Sequence, residues 1–155
     1  MNMEKIASHF NGKLYDRDAV KKWDLPDGIE ERLDLDSYDY YFLSTSVEKQ
    51  QQHGEKHIHF SIYPTRFNTV YLLQVETPTI LPELLHNTLE ILKNSNFDII
   101  TSTGFCTREN ICYFGIFYSV PEEIEPGNIL SQVKKLDNVD EAIIFRYSCE
   151  GCFKE

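Results

Sequence analysis

The chain has 155 residues, with 25 acidic against 15 basic side chains and a formal net charge of −10. That length buries a core without a disulfide or metal staple and suits one domain with an extension. The charge argues against broad nucleic-acid binding and against an anionic membrane surface, since both need a basic face.

No apolar run approaches the roughly 20 residues of a membrane span. The opening MNMEKIASHF lacks the hydrophobic segment of a signal peptide. A cytoplasmic protein is therefore expected, with its four cysteines reduced.

In chain order, Met3, Ile6, Ala7 and Phe10 predict a short helix ended by Asn11-Gly12. Asp18 to Trp23 adds a turn that Leu25-Pro26-Asp27-Gly28 breaks. Trp23 is the only tryptophan and is expected to anchor this lead to the body. Glu30, Glu31, Asp34, Asp36 and Asp39 form an acidic run that reads as a solvated face or loop. Tyr40–Val47 and Lys56–Tyr63 alternate and are rich in β-formers, which predicts a hairpin. In its second strand Ile58, Phe60 and Ile62 share one face while His57, His59 and Ser61 take the other. Two histidines at i, i+2, with His53 nearby in the loop, match a spacing that zinc sites use.

The best-patterned stretch runs from Val70 to Ile100. Val70 to Val75 is an apolar run bounded by Glu76-Thr77-Pro78, as for a buried strand. The period then changes, with Leu81, Leu84, Leu85, Leu89 and Leu92 forming a helical stripe and Thr88 filling its gap. Pro82 fits only in a first turn, so the helix begins near Thr79–Leu81. Asn94-Ser95-Asn96 supplies the stop, and Phe97 to Ile100 opens the next strand. Thr101 to Val120 reads as a second hairpin around Thr107-Arg108-Glu109-Asn110, with Gly115 marking a close approach. Asn128 suits an N-cap for a helix carrying Ile129, Leu130, Val133 and Leu136, with Lys134 and Lys135 in its last turn. Asp140 to Tyr147 is the final strand.

From Thr69 onward the predicted order is β-α-β-β-α-β, a ferredoxin-like arrangement with both helices on one face of an antiparallel sheet. The segment resembles the ACT domain, a regulatory module of amino-acid metabolism. Val75-Glu76-Thr77-Pro78-Thr79-Ile80-Leu81 is similar to that family's loop between first strand and first helix. Asn96-Phe97-Asp98-Ile99 resembles its turn into the second strand, and Asn138-Val139-Asp140-Glu141-Ala142 its approach to the last. Thr79 stands where the family usually has glycine, and Asp98 where it often has asparagine. The resemblance implies a ligand-binding set of Glu76, Thr77, Pro78, Thr79, Ile80, Leu81 and Asp98, holding an amino acid at a domain interface. Independently, a helix N-terminus after Thr79 offers free N–H groups to a carboxylate, and Asp98 an acceptor for an ammonium.

Cys149 and Cys152 have the spacing of metal ligands or a redox pair, though in a terminal tail without a βαβ context. Cys106 and Cys112 read as small strand residues flanking a turn, on opposite arms of the hairpin. His86 and His9 have no partner fixed by sequence, and no phosphate loop, nucleophile elbow or HExxH motif is present. The expected protein is α+β. An N-terminal helical lead and β-hairpin (residues 1–68) precede a ferredoxin-like, ACT-type body with a short tail (residues 69–155). The expected function is non-catalytic: a regulatory, homodimeric module that binds a small molecule, an amino acid, with no cofactor. The alternatives are a metal site on His53, His57 and His59, enzymatic or not, and an interaction module using the tyrosine-rich hairpin.

Overall fold

Antiparallel strands and helices make up most of the described residues. The computed structural model describes residues 10–49, 56–121 and 127–148. The described residues form four helices and two antiparallel sheets, an α+β protein. The chain divides into two units, one of Met1–Thr65 with Ser148–Glu155 and one of Arg66–Tyr147. No helix among the described residues is long and apolar enough to cross a membrane.

The first unit contains β1 (Phe10–Asp16), α1 (Arg17–Lys21), α2 (Ile29–Leu33), β2 (Tyr40–Lys49) and β3 (Lys56–Thr65). The expected hairpin forms as β2 and β3, with Thr45 opposite Phe60. The lead differs from its sequence pattern. Phe10 to Asp16 is not a helix end but a third strand, paired antiparallel with β2 from Phe10↔Ser46 to Asp16↔Tyr40. The sheet order is β1-β2-β3. A long-range ladder overrides the local turn signal of Asn11-Gly12, because β-pairing is set by partners more than by propensity. Residues Met3 to Ala7 of the predicted helix lie outside the described residues.

Asp16 ends the strand and caps α1, accepting the Ala19 amide at 2.8 Å. Val20, Leu33 and Tyr41 are buried together, and Tyr15, Trp23, Leu25 and Ile29 pack against them. Trp23 meets Tyr15 edge to face at 4.7 Å. The Tyr41 hydroxyl donates to the Leu33 carbonyl at 2.8 Å and fixes the end of α2 on β2. The acidic run supplies α2's first turn with Glu30 and Glu31, where the dipole favours them. Its last member, Asp39, pairs with Arg17 at 2.8 Å.

The second unit contains β4 (Thr69–Thr77), α3 (Pro82–Asn94), β5 (Asp98–Arg108), β6 (Ile111–Val120), α4 (Gly127–Lys134) and β7 (Glu141–Ser148), the last residue of which falls to the other unit. The strand order is β5-β6-β4-β7, with β4 and β5 each antiparallel to β6. Pro82 occupies the first position of α3, as its missing N–H requires. The stop at its far end is real: Asn96 takes a positive φ of 60°, and the Phe97 amide returns to the Leu92 carbonyl. α4 begins one residue before Asn128, which falls inside its first turn and is not the cap.

One core joins the alternate residues Tyr71, Leu73 and Val75 of β4 and Phe114, Ile116, Tyr118 and Val120 of β6 to Leu84 and Leu92 of α3 and Ile129 and Val133 of α4. Both helices therefore share a core with the same sheet face. Thr88, the polar member of α3's stripe, is buried and gives its hydroxyl to the Leu84 carbonyl at 2.7 Å. On the other face of β4 and β6, Leu72 leans over Gly115, where a Cβ would lie 2.8 Å from its Cδ1.

Candidate functional site

The turn from β4 into α3 is built by its own residues. The Thr77 hydroxyl donates to the Thr79 carbonyl at 2.9 Å, curling the chain back before the helix. Ile80 lies across β5, its Cδ1 3.0 Å from where a Cβ on Gly104 would stand. The residue capping α3 is Leu81, whose side chain makes no cap hydrogen bond. The first amide to bond within the helix is that of Leu85, to the Leu81 carbonyl at 3.1 Å. Pro82 has no N–H, so the helix's positive end is carried by the Glu83 and Leu84 amides.

Beside this end is a cleft of about 280 Å³, lined by Leu81, Glu83, Leu84 and Asn87 on one side and by Lys135, Leu136, Asp137 and Asn138 on the other. The second wall is the turn that follows α4. It is shaped by the Leu136 amide bonding to the Val133 carbonyl at 3.1 Å and by Asn138 at a φ of 69°. Just beyond it the Asp140 amide donates to the Glu76 carbonyl at 2.9 Å, tying the α4–β7 turn to the end of β4. The cleft thus combines three leucines, a lysine and a helix N-terminus with carboxylates and side-chain amides. That mixture suits a small molecule bearing both signs of charge.

The residues expected to bind ligand do not all converge. Thr77, Pro78, Thr79, Ile80 and Leu81 form one turn, and Leu81 reaches the cleft. Thr79 supplies a carbonyl to the turn and is not the cap of α3. Glu76 alternates with Val75 and Thr77, so its carboxyl lies on the sheet face away from α3. There burial, then Glu141 and Asp140, push that carboxyl above the usual carboxylate range. Tyr113, opposite Glu76, is raised by burial and then by Glu76 and Glu141, with Arg108 opposing.

Asp98 stands at the other end of the sheet, level with Ser119, whose hydroxyl donates to it at 3.3 Å. Thr77 is level with Cys112. Seven residues along β6 separate the two rows, about 23 Å at the usual rise of a strand. Within one chain, Asp98 does not share the cleft.

Among the described residues no group of three or more metal-ligating side chains converges. His59 is exposed on β3, opposite Ser46, and the backbone of His57 is in register with that of Glu48. His53, Cys149 and Cys152 lie outside the described residues, and so does the side chain of His57. His86 is exposed on α3. Phe60, also on β3, is 64 % exposed. Cys106 and Cys112, expected as reduced strand residues, are directly opposed in register and joined as a disulfide, with Cα atoms 4.0 Å apart.

Glu83, Asn87, Lys135 and Asp137 were not foreseen as site residues. Lys135 and Glu83 are readable only as helix-end charges, because the cleft joins segments about 50 residues apart. No protein-family model matches the chain, and no curated protein is similar to it in sequence.

Proposed function

We propose that the second unit is a ferredoxin-like, ACT-type regulatory module without catalytic activity, and that its cleft binds a free amino acid. The strand order β5-β6-β4-β7, the antiparallel pairing and the shared core of α3 and α4 support that fold type. The observation that carries the ligand class is the uncapped N-terminus of α3 facing Lys135 across a cleft that also holds Glu83 and Asp137. A carboxylate is received by the Glu83 and Leu84 amides with the Lys135 ammonium. An ammonium is received by Asp137 or Glu83 with the Asn side chains.

In this proposal the active form is a homodimer. β5 and β7 are the outer strands of their sheet, and unpaired ladder groups favour pairing between copies. Antiparallel edge pairing under two-fold symmetry sets one end of a sheet beside the opposite end of its partner. That is the geometry in which Asp98 of one copy approaches the loop of the other.

Thermal melting of the full chain against each of the twenty amino acids tests the ligand. One or a few should raise the melting temperature by several degrees, since ligand at 100 times its Kd adds about 2.7 kcal/mol. Lys135→Met should abolish that rise while leaving the ligand-free melting temperature within a degree or two. If no amino acid shifts the transition, the ligand class is wrong. Light-scattering mass in the presence of the best ligand tests the dimer.

A further inference from the structure

We propose that Cys106–Cys112 is a thiol–disulfide exchange site, attacked at Cys106 by a small thiol or dithiol, and that its state is read by the loop between β4 and α3. The proposal is independent of what the cleft binds.

The bond is poorly placed to be a structural staple. It closes a separation of only six residues, across a hairpin whose ladder already pairs Phe105 with Tyr113 and Gly104 with Phe114. A cross-link constrains the unfolded chain less the shorter the loop it closes, and this loop is closed by its turn in any case. The fold therefore survives without it.

Access is asymmetric. Cys106 and each residue through Asn110 are exposed, whereas Cys112 is buried. The register slips between Cys106 and Arg108, a bulge that breaks the ladder beside the exposed half of the bond. Arg108, two residues from Cys106, is a cation that favours an incoming or departing thiolate, with Glu109 beside it opposing.

The connection to the loop runs through neighbours on two strands. Cys112 pairs in register with Thr77, the residue whose hydroxyl holds the Thr79 carbonyl. Two residues before Cys106, Gly104 makes the space that Ile80 fills. The two cysteines thus sit beside the two contacts that shape the Thr77–Leu81 turn. Parting the sulfurs frees the hairpin tip and loosens both.

The exchange balances as follows. A thiolate attacks the Cys106 Sγ, the sulfur–sulfur bond breaks, and Cys112 leaves as a thiolate that takes up a proton. A second thiol, the other arm of a dithiol, attacks the mixed disulfide and releases Cys106 as a thiol. Two electrons and two protons pass to the protein, and the dithiol becomes a disulfide.

The test uses the full wild-type chain with dithiothreitol as the reductant. Free thiols are trapped by alkylation and mapped by mass spectrometry, so that Cys106 and Cys112 are read separately from Cys149 and Cys152. Both should be bonded at the start and become alkylated in native buffer without denaturant. Amide exchange of Leu85, whose N–H is held by the Leu81 carbonyl at the end of the loop, should then quicken at least tenfold, while that of Ile116 to Val120 stays unchanged. A Cys106→Ser/Cys112→Ser variant should show the same fast exchange, and if it fails to fold the reduced wild type decides. The exchange site is overturned if the pair is thiol from the outset or resists reduction until denaturant is added. The coupling is overturned if reduction leaves the Leu85 amide as slow to exchange as before.

Discussion

Tyr118 is enclosed between two rings, with Phe97 at 5.5 Å and Tyr71 at 5.7 Å from its ring centre. Its hydroxyl is buried without a hydrogen-bond partner among the described residues. Burial, and then Tyr71, push the phenol well above its usual range, so it stays neutral at any ordinary pH. An unmet buried hydroxyl costs about 1–3 kcal/mol. Tyr118→Phe removes it and keeps the ring stack, so urea denaturation should show a gain of about 1 kcal/mol. Glu76 gives a signed pH dependence. Its folded-state carboxyl is raised, so the native chain holds that proton to higher pH than the unfolded chain does. The associated stability is fully present below the unfolded value of about 4.3 and is lost as pH rises through the folded value. Glu76→Gln should therefore melt above wild type at pH 7, and the difference should close below about pH 4. A variant that melts lower than wild type at pH 7 would mean that the carboxylate is stabilising, against the assignment of burial and Glu141 as its dominant surroundings.

In β6 a glycine serves packing. Gly115 does not have a positive φ; it is small because Leu72 occupies the space above it. Gly115→Ala forces the Leu72 Cδ1 aside in a buried setting, at a cost of about 1–2 kcal/mol. Leu72→Val removes that atom, so the double variant should recover at least about 0.5 kcal/mol relative to the sum of the single changes. Strand–helix–strand connections were the most legible elements, since the period shift after Val75, the position of Pro82 and the Asn-Ser-Asn stop are all local signals. β1 was not legible, because FNGKLYD carries a turn signal and its partner strand begins at Tyr40, far along the chain. The disulfide was hidden for a different reason. Residue spacing places Cys106 and Cys112 on opposite arms of a hairpin, but the oxidation state of a pair is not a property of sequence pattern. Loop residues Thr77–Leu81 were visible as a turn, whereas the facing wall, Lys135–Asn138, is joined to it only by tertiary packing.

For the molecule as a whole, a net charge of −10 means that like charges repel within the folded chain. Acidic side chains concentrate in Glu30–Asp39 and around Glu76, Asp140 and Glu141, and the Arg17–Asp39 pair is largely exposed, which limits what it contributes. Self-repulsion of that size is relieved by salt, whose screening length falls to about 10 Å at 0.1 M. Raising sodium chloride from about 0.05 to 0.5 M should increase the melting temperature by a few degrees, and a fall would show that attractive pairs outweigh the excess charge. The cleft has a further consequence for how this protein can diverge. Its walls come from the two crossings that carry the chain over the sheet, the Leu81–Asn87 stretch and the Lys135–Asn138 turn, and neither contributes a rung to the β-ladder. If the cleft holds a guest, rewriting those few positions changes which one, while the strands that hold the architecture together are left as they are.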